Sequence, residues 1–277
     1  MFQIKQNSSL KKLDQLIKLL SSFDTISLKE IDSFKSMNRI DTKFAFNENF
    51  LPELLDLLKP YYNCLQIENK QIANYQTLYY DTSDLMLYYK HHNGSLNRYK
   101  VRQRTYLDSN LCFLEVKFKN NKGRTIKERI KQNEISTSFN FEDFEFLNKK
   151  LPFNPNILFP TVLVNYKRIT LVNKYSAERL TIDVNIEFKK GDELIKLHNL
   201  VIAEVKQEKK IVSPFLNQIK KINFIEGSLS KYCLAIIFLY KNVKKNNFKE
   251  KLLSLKSILN HDFITNIFAA NFYSRNN

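Results

Sequence analysis

Between residues 97 and 106 the chain reads NRYKVRQRTY, in which Arg98, Lys100, Arg102 and Arg104 occupy every second position. A period of two is that of an extended strand, whose successive side chains leave on opposite faces, so the four cations share one face. The same period recurs along the chain. In 111–119 Leu114, Val116 and Phe118 oppose Glu115, Lys117 and Lys119. In 125–132 Lys127, Arg129 and Lys131 oppose Ile126 and Ile130. In 178–188 Leu180, Ile182, Val184, Ile186 and Phe188 oppose Arg179, Thr181, Asp183, Asn185 and Glu187. In 200–207 Glu204 and Lys206 oppose Val201, Ala203 and Val205, and in 38–46 Arg39, Asp41 and Lys43 oppose Ile40, Thr42, Phe44 and Phe46. Together with 75–81 and 161–172 these segments predict a β-rich middle, separated by turn chemistry at LDSN 107–110, NNKG 120–123 and KKGDE 189–193.

Helical periodicity holds the ends. Leu13, Leu16, Ile17 and Leu20 predict helix within 8–36, with Ser27 and Glu30 as a capping box for a second segment. A short helix follows Asn47 or Asn49 and stops at Pro60, and others are predicted at 83–91, 141–150, 214–225 and 228–240. The organisation expected is a helical segment over 1–36, one β domain over 37–240 and a basic helical tail over 241–277.

One apolar and one charged face per strand is ordinary for a sheet that is wet on one side. Composition changes that picture. With 44 Lys+Arg against 28 Asp+Glu the net charge is +16, which narrows the partners to polyanions. The charged faces are rich in Arg, suited to bidentate recognition of phosphate, and hold a minority of carboxylates: Glu115, Asp183, Glu187 and Glu204. If terminal helices cover the apolar faces, the charged faces line the inside of a barrel, a container for a phosphate chain and its metal. Nucleic acid is not expected, because the strands lack an RNA-recognition signature and parity sends Tyr99 away from the arginines. Cys64, Cys112 and Cys233 are widely spaced and form neither a disulfide framework nor a metal set. No signal peptide opens the chain, and the apolar run 232–240 is too short to span a bilayer, so a cytoplasmic location is expected. The basic tail suits an anionic inner membrane surface or a membrane-protein partner. His91 and His92 read as surface residues.

A succession of motifs carries a resemblance: RIDTKF (39–44), YQTLYYDTSDLMLYY (75–89), NRYKVRQRTY (97–106), FLEVKFK (113–119), RTIKERI (124–130), VNYKRITL (164–171), RLTIDVNIEF (179–188), LVIAEVKQE (200–208) and LSKYCLAI (229–236). Each is weak alone, but in this order they resemble the VTC domain, the polyphosphate polymerase domain of the triphosphate tunnel metalloenzymes. The resemblance implies an α+β fold, a closed antiparallel eight-stranded β-tunnel with flanking helices. It implies transfer of the ATP γ-phosphoryl group to a growing polyphosphate chain, assisted by Mn²⁺ or Mg²⁺, with ATP, polyphosphate and pyrophosphate as partners. Position by position, Arg102, Arg104, Lys231 and the adjacent Ser230 match catalytic residues. Lys43, Lys117, Lys127, Arg129 and Arg168 match phosphate-binding cations, and Arg98, Lys100 and Lys206 lie on the same faces. Glu204 matches the metal-binding carboxylate. Hydrolase cousins open on Glu-x-Glu-x-Lys, whereas this chain has Arg39-x-Asp41-x-Lys43, which favours the polymerase branch. The alternatives are a tunnel phosphohydrolase of inorganic or nucleoside triphosphate and a non-catalytic polyphosphate-binding subunit. Removing Arg102 or Arg104 is expected to abolish turnover while leaving the fold intact.

Overall fold

In the computed structural model the described residues are 2–32, 40–209, 211–227 and 229–259. The chain opens with helix α1 (Phe2–Leu20), a two-residue strand β1 (Thr25–Ile26) and α2 (Leu28–Asp32). Strand β2 (Ile40–Asn47) leads through a 3₁₀ turn into α3 (Leu51–Leu58), followed by β3 (Tyr62–Leu65), β4 (Ile72–Asp81) and α4 (Met86–His92). Three consecutive strands follow, β5 (Arg98–Tyr106), β6 (Leu111–Lys119) and β7 (Thr125–Gln132), and then α5 (Phe141–Lys150). Strands β8 (Phe159–Asn173), β9 (Glu178–Lys190), β10 (Glu193–Leu197) and β11 (Leu200–Gln207) precede α6 (Pro214–Ile219) and β12 (Phe224–Glu226). The described chain closes with α7 (Lys231–Leu239) and α8 (Lys249–Leu255).

The residues divide into two compact units, and β8 and β9 are long enough to contribute to both. The first unit comprises residues 1–73, 167–184 and 199–228. In it β11 lies antiparallel between β2 and β9, while β12 adds to the far side of β2. β3 pairs with β8, and β1 runs parallel to β3. The apolar sides of these strands, Phe44, Phe46, Ile182, Ala203 and Val205, pack with Leu51, Leu55 and Leu58 of α3 and with Leu16, Leu20 and Phe215.

The second unit comprises residues 74–166, 185–198 and 229–277. Here β4, β5, β6 and β7 form a continuous antiparallel run, and β10 folds back on β9. The β9–β10 hairpin turns at Gly191, whose φ of +56° costs a residue without Cβ nothing. One side of the run, Leu78, Tyr80, Val101, Leu114 and Val116, packs with Leu147 of α5 and with Leu151 and Leu158.

The antiparallel α+β class is as expected, and the strands predicted from period two are all present. The closed ring of eight is corrected: among the described residues the sheet has twelve strands, and its pairing order runs from β12 to β7 with two ends. Pairing partners, not local pattern, made the additional strands. β1, β3, β10 and β12 are two to five residues long, too short to display a period. β12 takes the place of the last turns predicted for a helix over 214–225, because Phe224 and Glu226 find ladder partners at Phe46 and Phe44. The predicted N-terminal helix is likewise interrupted by β1, while the box at Ser27 and Glu30 forms: Ser27 N–H donates to the Glu30 carboxylate at 2.8 Å. Arg39 and the tail from residue 260 lie outside the described residues. Among the described residues, no helix is long and apolar enough to cross a membrane.

Candidate functional site

In the second unit, cross-strand register turns the alternation of single strands into rows of charge. Lys100 of β5 stands opposite Lys117 of β6, which stands opposite Lys127 of β7. Like charges directly opposite one another are unfavourable in a sheet, and in this row Lys127 is answered by Glu115 at 3.2 Å and Lys100 by the Ser230 hydroxyl at 2.9 Å. The next row is Tyr79, Arg102, Glu115 and Arg129, and the one after it Thr77, Arg104, Phe113 and Lys131. Arg98 ends the strand opposite Lys119 and donates to the Ser95 carbonyl at 2.8 Å.

Glu115 organises the middle of this face. It is fully buried, accepts from Arg102 Nε at 2.7 Å and from Lys127 at 3.2 Å, and forms an ion pair with Arg102 Nη2 at 2.6 Å. Burial opposes its ionisation, but Arg102, Arg104 and Lys127 outweigh burial and hold the carboxyl at about 2. Burial likewise disfavours the Arg102 cation, yet Glu115 and the phenols of Tyr79 and Tyr166 raise its pKa further. The third arm of Arg102, NH1, donates to the Tyr79 hydroxyl at 3.3 Å. Burial would push that phenol up, but Arg102, Arg104 and Lys100 bring it down to about 8.

At one end of the face the cations meet aromatic rings. Arg104 donates to Thr77 at 3.3 Å and lies 5.6 Å from the Tyr75 ring and 6.0 Å from the Tyr166 ring. Tyr75 and Tyr166 stack at 5.0 Å, and the Lys231 ammonium sits 4.6 Å above Tyr166. Arg129 is turned onto Phe113 at 4.1 Å. Lys231 opens α7, and Ser230 caps that helix by accepting the Cys233 N–H at 3.3 Å. Lys100 donates to the same Ser230 hydroxyl at 2.9 Å. The four residues matched to catalysis, Arg102, Arg104, Ser230 and Lys231, therefore all belong to this unit, together with Arg98, Lys100, Lys117, Lys127 and Arg129.

The first unit holds Lys43, Arg168, Glu204 and Lys206. Lys43 stands opposite Glu204, and Asp41 opposite Lys206. Lys206 donates to Glu204 at 2.6 Å and to Asp41 at 2.9 Å. Arg168 grips the buried Asp183 with a two-pronged bond, 2.6 and 2.8 Å. Against the opposing effect of burial, Lys43, Lys206 and Arg168 keep the Glu204 carboxyl well below its ordinary range, so it is ionised at neutral pH. Among the described residues no three His, Cys, Asp or Glu side chains converge to make a metal cage. One ionised carboxylate fits a different kind of site, in which Mg²⁺ or Mn²⁺ takes one or two protein oxygens and completes its shell with phosphate and water.

The three cysteines are buried and free. Tyr99 turns to the side opposite the arginines and stacks on Phe118 at 4.5 Å, as parity predicts. His91 and His92 are not free surface groups. His92 is buried, and His91 is held at about 2 by burial with help from the Lys100 and Arg98 charges, its ring bonded to the Tyr99 carbonyl at 3.3 Å. Sequence reading missed Tyr75, Thr77 and Tyr79, although the signal was there: the period-two test applied to 75–81 puts all three on one face.

Residues 38–240 match the VTC domain. The chain belongs to that family. Set beside solved structures, this VTC-domain chain is similar to a Hippeastrum protein described as an adenylyl cyclase with a dominant triphosphatase activity. That likeness is 15% identical over 71% of this chain and 94% of the other, with a TM-score of 0.42. A Bacillus halodurans protein assigned as an adenylate cyclase is similar at 12% identity over 62% and 81% of the two chains, TM-score 0.41. A Pyrococcus horikoshii protein is similar at 10% over 71% and 95%, TM-score 0.40. No curated protein matches the VTC-domain chain.

Proposed function

We propose that this VTC-domain protein is a nucleotide-dependent polyphosphate polymerase. The observation that carries the reading is the Lys100–Lys117–Lys127 row, a line of like charges across three strands beside Arg102, Arg104 and the Ser230–Lys231 pair. Three ammonium groups in line across adjacent strands match the spacing of charge along a polyanion, which would add to the partners they already have. Phosphoryl transfer asks a protein for alignment and charge neutralisation more than for covalent chemistry, which suits a face with no evident nucleophile–base pair.

In this reading the lysine row neutralises a phosphate chain. Arg102, its fork pinned on Glu115, offers its remaining N–H bonds in a fixed direction. Arg104 and Lys231, backed by Tyr75 and Tyr166, take the transferring phosphoryl group, and Ser230 donates its hydroxyl. A terminal phosphate oxygen of the chain attacks the ATP γ-phosphorus, the bond from that phosphorus to the β–γ bridging oxygen breaks, and ADP leaves with the electron pair. Lys43, Arg168 and Lys206 bind phosphate in the first unit. Glu204 would hold the divalent cation, which when bound supplies Lewis-acid polarisation of phosphate oxygens.

The test is incubation of the purified protein with ATP and Mn²⁺, with products read on a polyacrylamide gel and by phosphate release. Long anionic ladders with little free phosphate are expected. Free phosphate without ladders would replace the polymerase by a triphosphatase. Neither product, together with a raised Tm in polyphosphate, would leave a binding subunit.

A further inference from the structure

Asp81, the last residue of β4, is a fully buried carboxylate that no phosphate contact in the reading above uses. Its Oδ1 accepts the N–H of Thr82 at 2.7 Å and of Leu87 at 2.8 Å, and its Oδ2 accepts the N–H of Tyr88 at 2.8 Å and the hydroxyl of Tyr232. The first turn of α4 is thus tied to a side chain of α7. The tie holds strained backbone in place: Leu85, between Asp81 and Leu87, has φ +59°, a left-handed conformation that a leucine rarely adopts.

Tyr232 directly follows Ser230 and Lys231. Its ring packs 5.0 Å from that of Tyr79, whose hydroxyl accepts from Arg102. The reason a polar tie is needed here lies in the composition of α7. Every residue from Tyr232 to Leu239 is buried, so the helix has no wet side. Burial alone barely distinguishes one rotation of such a helix about its axis from another, because each places apolar groups in apolar surroundings. A directional hydrogen bond does distinguish them. A turn of α7 by one residue would carry the Lys231 ammonium off Tyr166 and the Ser230 hydroxyl away from Lys100.

We infer that Asp81 is a positioning residue, which through the Tyr232 hydroxyl fixes the rotation of α7 and so presents Lys231 and Ser230 to the phosphate chain. The inference rests on the reading of the basic face as a phosphate site. The experiment is a double-mutant cycle of Tyr232→Phe and Lys231→Ala, with tripolyphosphate binding measured by calorimetry and unfolding measured in parallel. Tyr232→Phe keeps the ring against Tyr79 and leaves Asp81 its three backbone donors. Its affinity for tripolyphosphate is expected to fall about tenfold, the loss that one buried hydrogen bond entails. In the Lys231→Ala background the same change should cost clearly less, about threefold or under, because of the two groups it positions only Ser230 remains. Its effect on Tm should be the same in both backgrounds. An unchanged affinity in Tyr232→Phe, or an equal loss in both backgrounds, overturns the positioning role while the phosphate site stands. Wild-type protein that does not bind tripolyphosphate overturns both. If Tyr232→Phe fails to fold, Asp81→Asn, which can accept on one oxygen only, takes its place in the cycle and is read in the same way.

Discussion

Arg102 and Arg104 occupy equivalent positions in the alternation, yet the structure gives them different consequences. Arg102 is the main counter-ion of fully buried Glu115, so Arg102→Ala leaves that carboxylate to Lys127 alone and should cost about 2 kcal/mol of stability. Arg104 has Thr77 and two rings beside it, so Arg104→Ala should keep the urea midpoint near wild type while lowering turnover at least about a hundredfold. Removal of Arg104 is therefore expected to leave the fold at full stability, and removal of Arg102 to weaken it. Glu115 makes the complementary prediction. Its folded pKa of about 2 lies below the ordinary 4.5, so the stability it contributes is complete above 4.5 and is lost as pH falls towards 2. Glu115→Gln should be less stable at neutral pH and should lack that acid-dependent component, as urea melts across the range would record. Tyr79 behaves in the same sense at higher pH. Its folded pKa of about 8 against 10.0 means that stability gains with pH between those values. A near-ultraviolet phenolate titration should find one tyrosine with a midpoint near 8, absent in Tyr79→Phe. Tripolyphosphate should move that midpoint upward, because an added anion opposes the phenolate.

Among the elements, β4 to β7 divide the work between their faces, and α5 is what makes that division stable. The helix starts in a capping box: Asn140 accepts the Asp143 N–H at 2.9 Å and donates its own N–H to the Asp143 carboxylate at 3.0 Å. Gln132 of β7 donates to the same carboxylate at 2.7 Å. Leu147 then covers Val101, Leu114 and Val116, the apolar reverse of the basic strands. Asn140→Ala should cost about 1 kcal/mol in urea unfolding and leave tripolyphosphate affinity unchanged, since the box supports the sheet from behind. The helix at 141–150 was legible ahead of the stop at LPFNP, as was the alternation of β5, β6, β7, β9 and β11. The four shortest strands were not legible, because two to five residues carry no period and their pairing depends on segments distant in sequence.

For the whole molecule the net charge of +16 outweighs every local feature. Part of it stands in the Lys100–Lys117–Lys127 row and the Arg98–Lys119 pair, where cations oppose cations, so a polyanion should raise stability by mass action. Tripolyphosphate at about a hundred times its Kd should add about 2.7 kcal/mol to unfolding, read as a rise in Tm. Added KCl should diminish that rise, since exposed charges are screened within about 10 Å at 0.1 M salt. A rise insensitive to salt would mean that the ligand acts away from the basic rows.

The sequence by itself determined which faces carry charge, because the side-chain period of a strand follows from backbone geometry and needs no partner. It also carried the family, through the order of nine short motifs, and it placed Ser230 and Lys231 together at a helix start. Only the tertiary structure decided which charges answer one another. Register set Lys100, Lys117 and Lys127 in line, gave Glu115 to Arg102 and Asp183 to Arg168, and left Arg104 beside tyrosines. It likewise brought Asp81 to Tyr232 across 151 residues of chain. Such pairings are settled by burial and strand register between distant segments, and no local period encodes them.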